Sequence, residues 1–189
     1  MTNVSWQGGL AGGGVTVRPE SQADEREIAR VVEAAFGSTV QVDLVSEIRS
    51  AKEYVPALSL VAVMHDQIVG HVMISFATLV RDQGPPVPIG NLSPLAVHPD
   101  QQSLGIGGAL VEQVLGRADD MRVPLVVLEG DPRYYGDRLG FESATRLGIH
   151  IPLPDWAPAA AAQARRLSSY RPDMRGRVVY PEPFLNLDH

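Results

Sequence analysis

The sequence predicts an α+β fold, an α/β arrangement of three layers in which helices flank a central sheet. Segments with the two-residue period of strands alternate along the chain with segments of helical period. The apolar run of residues 125–128 is short and continuous, as expected of a strand buried on both faces. The clearest helix carries one apolar stripe, formed by Ile106, Leu110, Val111, Val114 and Leu115. With 189 residues, of which 44% are hydrophobic and 20% charged, the chain fits one globular domain.

The N-terminal part is predicted to hold a strand followed by two helices. Residues 15–18 alternate in polarity and stop at Pro19, which predicts the first strand. The capping pattern of residues 21–24 starts a helix that reaches about Phe36 and ends at Gly37. Apolar residues at helical spacing indicate a second helix: Val40, Leu44, Val45 and Ile48. Residues 1–14 are expected to form a flexible tail, because their glycine run cannot order itself.

Three further strands are predicted before the clearest helix. Residues 58–64 and 68–79 read as two strands joined by a turn at residues 65–67, with Gly70 marking a bulge. Residues 89–97 form a central strand, although Pro94 cannot donate a hydrogen bond to a neighbouring strand. The strand runs into a proline turn and a glycine-rich loop that opens the helix. Free backbone N–H groups at such a helix start bind phosphate.

The glycine loop fits one of three known phosphate-binding patterns. A P-loop is excluded because no lysine follows the glycines. A dinucleotide fingerprint fits only in its first half, Gly105 and Gly107, because Leu110 stands where its third glycine belongs; it stays open as a minor alternative. The third pattern, Gln/Arg-x-x-Gly-x-Gly/Ala, is met by Gln102, Gly105 and Gly107. This stretch resembles the acetyl-coenzyme A pyrophosphate loop of the GNAT superfamily of N-acetyltransferases. A plain strand–turn–helix with glycines placed for packing is a further alternative.

A second signature follows about thirty residues later. Residues 129–141 resemble the second GNAT motif, a short helix carrying a tyrosine shortly before Gly-Phe, here in the Gly-Asp-Pro-x-Tyr-Tyr form of a bacterial subgroup. The resemblance implies the GNAT fold, with a mixed central sheet of about six to seven strands, over residues 15–150. Residues 151–189 are expected to be a C-terminal extension packing on the same domain, with a short helix at 159–167 and a strand at 177–181.

The resemblance also implies how the coenzyme is held. The main chain of Leu95, Ala96 and Val97 is expected to pair with the pantetheine arm, and the N–H of Val97 to polarise the thioester carbonyl. The pyrophosphate cradle is expected to comprise Gln102, Ser103, Leu104, Gly105, Ile106, Gly107 and Gly108. Family members frequently have glycine at the position of Ser103, so a strained backbone there would weaken affinity.

A tyrosine is expected to be the general acid that protonates the departing thiolate. The family pattern places it four residues before the glycine of Gly-Phe, but here that position is Gly136. Tyr135 lies five residues before and is our candidate, with Tyr134 as the alternative. No general base is assigned. Asn91 and Ser93 occupy the region where many members carry a glutamate. His71 and His98 each have a competing structural explanation, Glu129 could act through water, and direct entry of a neutral amine is an equal alternative.

Composition excludes several classes of function. The absence of cysteine excludes disulfides, thiolate metal sites and an acyl-cysteine mechanism, and no metal is expected. A formal charge of −6 without any basic run argues against nucleic acid. No apolar run reaches membrane length and no signal peptide is recognisable, so a cytoplasmic protein without membrane association is expected.

The sequence therefore predicts an acyltransferase, more specifically an acetyl-CoA-dependent N-acetyltransferase. It would move the acetyl group to a primary amine of an unidentified small molecule or peptide by direct attack in a ternary complex. The alternative is a GNAT-fold sensor or scaffold that binds acyl-CoA with little or no turnover. Many members form homodimers through their last strands, and nothing in this sequence specifies one.

Overall fold

The computed structural model describes residues 14–185 together with the backbone of Val4–Trp6. The chain divides into two compact units. Unit 1 comprises Met1–Ile74 and Ser93–Val114, and unit 2 comprises Ser75–Leu92 and Leu115–His189. Within the described residues, no helix is long and apolar enough to cross a membrane.

The described part of the chain contains ten strands and five α-helices. The strands are β1 (Val4–Trp6), β2 (Val15–Pro19), β3 (Ser59–Met64), β4 (Gln67–Arg81), β5 (Val87–Val97), β6 (Leu125–Glu129), β7 (Glu142–Ser143), β8 (Ile149–His150), β9 (Ala162–Arg166) and β10 (Gly176–Val179). The helices are α1 (Glu25–Phe36), α2 (Val40–Ser50), α3 (Ile106–Asp120), α4 (Pro132–Leu139) and α5 (Glu182–Leu185).

In unit 1 the strands pair in an antiparallel meander. Strand β2 pairs with β1 and β3, and β3 pairs with β4. The pairing of Val4–Trp6 with Val15–Val17 differs from the expected flexible tail over residues 1–14; residues 1–3 and 7–13 lie outside the described part. The two helices that follow β2 bury the apolar stripes predicted from their spacing, which confirms both helices.

The first helix begins with the predicted capping box. The Asp24 carboxylate accepts hydrogen bonds from the backbone N–H of Ser21 at 2.7 Å and from the Arg18 guanidinium at 2.7 Å. These donors, opposed by burial, lower the pKa of Asp24 to about 2. At the other end, Gly37 adopts the left-handed conformation at φ 67°, which closes the helix as predicted.

The β3–β4 hairpin contains the predicted bulge. Its turn places His65 and Asp66 at φ 50° and 62°, as a tight hairpin turn requires. The register passes from Ala62–Gly70 to Val63–Ile68, so that Val69 is the extra residue beside Gly70. Gly70 has a second reason to lack a side chain, because a Cβ there would lie 2.9 Å from Cδ1 of Leu110. Strand β4 therefore approaches α3 closely at this point.

The sheet of unit 2 is mixed. Strand β5 pairs in parallel with β6 through Gly90–Val126 and Asn91–Val127, whereas β9 is antiparallel to both β6 and β7. Strand β10 is antiparallel to β4 and parallel to β8. The mixed sheet confirms the predicted fold class. The number of strands exceeds the predicted six to seven because of short edge strands and the C-terminal extension.

The predicted helix over residues 159–167 is wrong. Residues Ala159–Ala161 form a single 3-10 turn, and Ala162–Arg166 form β9. The helix propensity of alanine is a weak preference, and here two neighbouring strands supply backbone hydrogen bonds on both edges of the segment. Small side chains also suit the buried side of this strand, where Ala162 and Ala164 join the core of unit 2.

Candidate functional site

The glycine loop in unit 1 exposes backbone donors at the start of a helix. After β5, a 3-10 turn over Pro99–Gln101 leads into an exposed loop of residues 102–105. The first helical hydrogen bond of α3 runs from the N–H of Ala109 to the carbonyl of Gly105 at 3.0 Å. The N–H groups of Ile106, Gly107 and Gly108 therefore have no acceptor within the helix. This is the geometry expected of an anion cradle.

Two residues of the loop adopt left-handed backbone conformations. Gly105 has φ 82°, which glycine tolerates without strain. Ser103 has φ 63°, a region that costs a residue with a Cβ about 1 kcal/mol. The sequence resemblance implies glycine at this position, and a left-handed φ is the conformation that favours one.

Side chains tie the loop to the end of β5. The side-chain amide of Gln102 donates to the carbonyl of Val97 at 3.1 Å. The backbone N–H of His98 donates to the carbonyl of Val69 at 2.9 Å, and Nδ1 of His98 accepts from the N–H of Asp100 at 3.4 Å. His98 therefore stabilises the turn after β5, which favours a structural role over that of a general base.

The end of β5 alternates between buried and half-exposed residues. Ala96 is 1% exposed and its carbonyl faces Gly70, whereas Leu95 and Val97 are half-buried. No lysine or arginine occurs in the sequence between Arg81 and Arg117. A phosphate bound at this loop would therefore be neutralised by backbone dipoles rather than by a cation of the loop itself.

The second candidate region, in unit 2, is the helix that carries the two tyrosines. Asp131 caps α4, since its carboxylate accepts from the N–H of Arg133 at 2.9 Å, and Pro132 fits the first helical position. Gly140 ends the helix at φ 65°. This confirms the short helix predicted from the second signature.

Neighbouring residues fix the position of the Tyr135 ring. Its ring stands edge-on to Tyr134 at a centroid distance of 4.9 Å and to Phe141 at 5.7 Å. A Cβ on Gly130 would lie 2.7 Å from Cδ2 of Tyr135 and still closer to Cε2, so only glycine leaves room for the ring. Burial, with the neighbouring Tyr134 in second place, raises the pKa of Tyr135 strongly. Burial also raises the pKa of Tyr134. Both phenols are therefore protonated at neutral pH and can donate.

The end of β6 is bound by the C-terminal extension. The phenol of Tyr180 donates to Oε1 of Glu129 at 3.2 Å. The side-chain amide of Gln163 donates to the carbonyl of Gly130 at 2.9 Å, and the N–H of Gly130 donates to the carbonyl of Ala161 at 3.0 Å. Sequence reasoning missed both side chains. Tyr180 lies in the segment of residues 177–181 that the sequence predicts as a strand, but Gln163 carries no signal in the sequence.

His71 belongs to a buried network in unit 1. The Glu20 carboxylate accepts two hydrogen bonds from Arg49, at 2.8 and 3.0 Å, and one from the phenol of Tyr54 at 2.8 Å. Nε2 of His71 lies 3.1 Å from Glu20 and 3.1 Å from Oγ of Ser59. Because a carboxylate only accepts, Nε2 carries the proton and Nδ1 is left without a partner in the described structure.

The titration of this network is set by burial and by hydrogen bonds. Burial lowers the pKa of His71, which is 0% exposed, more than Glu20 raises it. Burial alone would raise the pKa of Glu20, but hydrogen bonds from His71 and Arg49 hold it well below its usual range. Burial and Glu20 raise the pKa of Tyr54 to about 12. His71 is thus a neutral core residue rather than a solvent-accessible base.

The described residues contain no group of three or more His, Cys, Asp and Glu side chains that could hold a metal ion.

Comparison with known proteins identifies relatives over most of the chain. The family model described as the acetyltransferase (GNAT) domain matches residues 16–144. The chain is 34% identical over 134 residues to YjhQ, an uncharacterized N-acetyltransferase of Escherichia coli (strain K12). The aligned region covers 70% of this chain and 73% of YjhQ.

Two solved structures resemble at least 90% of the chain. The GNAT family N-acetyltransferase YhbS from Escherichia coli, in complex with CoA, has a TM-score of 0.81 at 27% identity, covering 92% of this chain and 93% of that one. A GNAT family acetyltransferase from Brucella melitensis, in complex with acetyl-CoA, has a TM-score of 0.71 at 28% identity, covering 90% and 97%. The similarity therefore includes at least part of the C-terminal extension.

Proposed function

The chain belongs to the GNAT acetyltransferase family, and we propose that it transfers the acetyl group of acetyl-CoA to a primary amine of a small-molecule or peptide acceptor. The amine nitrogen attacks the thioester carbonyl directly within a ternary complex. A C–N bond forms, the C–S bond breaks, and the thiolate of CoA leaves with a proton supplied by the enzyme. The amine attacks in its neutral form, and its nitrogen then loses one proton to water. The enzyme group that protonated the thiolate regains a proton from solvent, and we assign no general base.

The observation that carries this proposal is the geometry of the loop from Gln102 to Gly108. It places unsatisfied N–H groups at the start of α3, behind a loop whose backbone is left-handed at Ser103 and Gly105. The coenzyme pyrophosphate is an anion of the kind that such a cradle binds. The similar proteins YhbS and the Brucella acetyltransferase were crystallised with CoA and acetyl-CoA, which supports the same ligand here.

The main chain of Leu95, Ala96 and Val97 is proposed to hold the pantetheine arm as an additional strand. Such pairing would register the thioester relative to the end of β5, with the N–H of Val97 polarising its carbonyl. Holding both reactants in this way supplies much of the rate without a covalent enzyme intermediate.

Tyr135 is proposed as the general acid, with Tyr134 as the alternative. Tyr135 is supported by its seat against Gly130 and Phe141, which fixes the direction of its ring, and by a raised pKa that keeps the phenol protonated. A general acid must hold its proton until the leaving group needs it.

The first experiment is a thermal-shift titration with acetyl-CoA, with ADP and NAD as comparison ligands. At a hundredfold excess over Kd, binding adds about 2.7 kcal/mol of stability, or roughly 5–10 °C for a chain of this size. Release of free thiol is then followed with a thiol-reactive dye across panels of amines, peptides and amino sugars. The chain has no cysteine, so the enzyme contributes no background.

Three outcomes are distinguishable. A shift with acetyl-CoA together with amine-dependent thiol release supports the transferase. A shift without thiol release across the panels supports the alternative, a protein that binds acyl-CoA as a sensor or scaffold. Absence of a shift, or a preference for NAD, contradicts the assignment of the loop.

A further inference from the structure

Two side chains of β9 bind the two ends of the helix that carries the tyrosines. Gln163 donates from Nε2 to the carbonyl of Gly130, just before α4, at 2.9 Å. Arg165 donates from Nη1 to the carbonyl of Gly140, just after α4, at 2.7 Å. Residues two apart in a strand project from the same face. One face of β9 therefore carries both contacts.

Gly130 connects this strand to the ring of Tyr135. Its N–H donates to the carbonyl of Ala161 at 3.0 Å and its carbonyl accepts from Gln163, so both of its polar groups are bound by the extension. Its Cα supports the ring of Tyr135, where a Cβ would collide. A shift of this peptide unit would consequently move the surface on which the ring rests.

Gln163 is a buried polar residue. It is 1% exposed, and a buried side-chain amide destabilises the fold unless it is hydrogen-bonded. Oε1 of Gln163 would lie 3.8 Å from a Cβ placed on Gly136, in the middle of α4. The same side chain therefore lies beneath the helix and fixes the peptide unit that precedes it.

We propose that Gln163 is a positioning residue for Tyr135, acting through the peptide of Gly130. Gln163 does not touch the reacting atoms. It fixes the surface against which the ring of Tyr135 packs, and so the position from which the phenol donates its proton. This assignment rests on the proposed function, in which Tyr135 is the general acid. It also gives the C-terminal extension a part in the chemistry, because the residue that fixes the acid belongs to the extension.

The test uses the full chain with the substitution Gln163→Met, which keeps the length of the side chain and removes its donor. The matched control is Arg166→Gln on the same strand, since Arg166 pairs with Glu142 and not with α4. With an amine found in the panels, we expect kcat for thiol release to fall about tenfold in Gln163→Met, because misplacing a general acid forfeits part of its contribution. KM for acetyl-CoA should change by less than about twofold. The control should retain kcat.

A double-mutant cycle separates positioning from a general loss of structure. If Gln163 acts through Tyr135, then Gln163→Met should cause no further loss of kcat in the Tyr135→Phe background. Independent, multiplicative losses would overturn the proposal. Should Gln163→Met fail to fold, the shorter amide Gln163→Asn replaces it, because it keeps a polar group but cannot reach the carbonyl of Gly130.

A spectroscopic readout requires no acceptor. The five tyrosines can be replaced by 3-fluorotyrosine, and the ¹⁹F resonance of Tyr135 identified through Tyr135→Phe. We expect this resonance to shift or broaden in Gln163→Met, while that of Tyr54 stays unchanged. An unchanged Tyr135 resonance would overturn the proposal even if the protein is active. Absence of turnover in the wild-type protein, by contrast, would contradict the proposed function and leave the spectroscopic test decisive.

Discussion

The phenol of Tyr180 donates a hydrogen bond to the carboxylate of Glu129 at 3.2 Å, joining the C-terminal extension to the end of β6. The ring of Tyr180 packs against Phe184 at a centroid distance of 5.6 Å. Burial, followed by the charge of Glu129 and this hydrogen bond, raises the pKa of Tyr180 strongly. The phenol is therefore a donor at every pH at which the protein would be studied.

Removing only the hydroxyl of Tyr180 should show how much its hydrogen bond to Glu129 stabilises the fold. Tyr180→Phe keeps the ring and is expected to lower the free energy of unfolding by about 1 kcal/mol, the usual net contribution of one hydrogen bond. Urea unfolding at pH 7 measures the change. Tyr170→Phe is the control, because the Tyr170 phenol has no hydrogen bond within the described structure. Equal losses in the two variants would show that the contact does not stabilise the fold.

The buried His71 and Glu20 predict a loss of stability in acid. The native pKa of His71 lies below its usual 6.5, and that of Glu20 lies below its usual 4.5. The unfolded chain therefore takes up protons at both groups before the native protein does. Stability is present above these usual values and falls as the pH drops, first through the range of the histidine and then through that of the carboxylate.

Replacing the histidine should flatten the first part of this dependence. In His71→Gln we expect the free energy of unfolding to decline less between pH 7 and 5 than in the wild type. The reduction should reach up to roughly 1.4 kcal/mol per pH unit below the usual histidine pKa. Urea unfolding at several pH values measures it. His98→Gln serves as the control, since the side chain of His98 is 41% exposed. Parallel curves for wild type and His71→Gln would contradict the prediction.

The left-handed backbone of Ser103 predicts an unusual response to glycine. A serine-to-glycine change ordinarily costs about 0.5–1 kcal/mol through the entropy of the unfolded chain. Relief of about 1 kcal/mol of left-handed strain should cancel this cost in Ser103→Gly. Thermal unfolding should thus show no loss, whereas Ser46→Gly in α2 should be destabilised. Ser103→Ala, which keeps the Cβ, separates backbone strain from any role of the hydroxyl in coenzyme affinity.

Gly107 tests the cradle directly. Gly107→Asp places a carboxylate beside the N–H groups that open α3, where it would repel a pyrophosphate. We expect the thermal shift with acetyl-CoA to disappear. Gly116→Asp on the same helix is the matched control, because a Cβ at Gly116 would have no neighbour within 4 Å. A retained shift in Gly107→Asp would remove the loop from the coenzyme site.

The two tyrosines are distinguished by their hydroxyls. Tyr135→Phe should reduce kcat at least about tenfold, which is less than the roughly 10²–10⁴-fold that general acids usually contribute, because a thiolate leaves readily. Affinity for acetyl-CoA should stay nearly unchanged, and Tyr134→Phe should keep most of the rate. Thiol-release kinetics over a range of pH measures both. A wild-type rate in Tyr135→Phe at every pH would exclude Tyr135 as the acid, and the converse pattern would assign the role to Tyr134.

Most elements of the fold were predictable because their signals are local. The stripe of α3, the cap at Asp24 and the alternation of β2 each depend on residues only a few positions apart. The signal of the proposed phosphate-binding loop is equally local, since its glycines stand at the start of α3. The helix predicted at residues 159–167 is wrong because its local preference was overruled by pairing with β6 and β7.

The sequence by itself therefore determined the fold class, the order of the main elements, the loop and the pair of candidate tyrosines, because these follow from short-range periodicity and motif spacing. Only the tertiary structure decided which side chains support them. Gln163 reaches Gly130 from 33 residues away, and Tyr180 and His71 reach their carboxylate partners from 51 residues away. Contacts at such separations are set by the packing of strands against one another, and no local pattern encodes them.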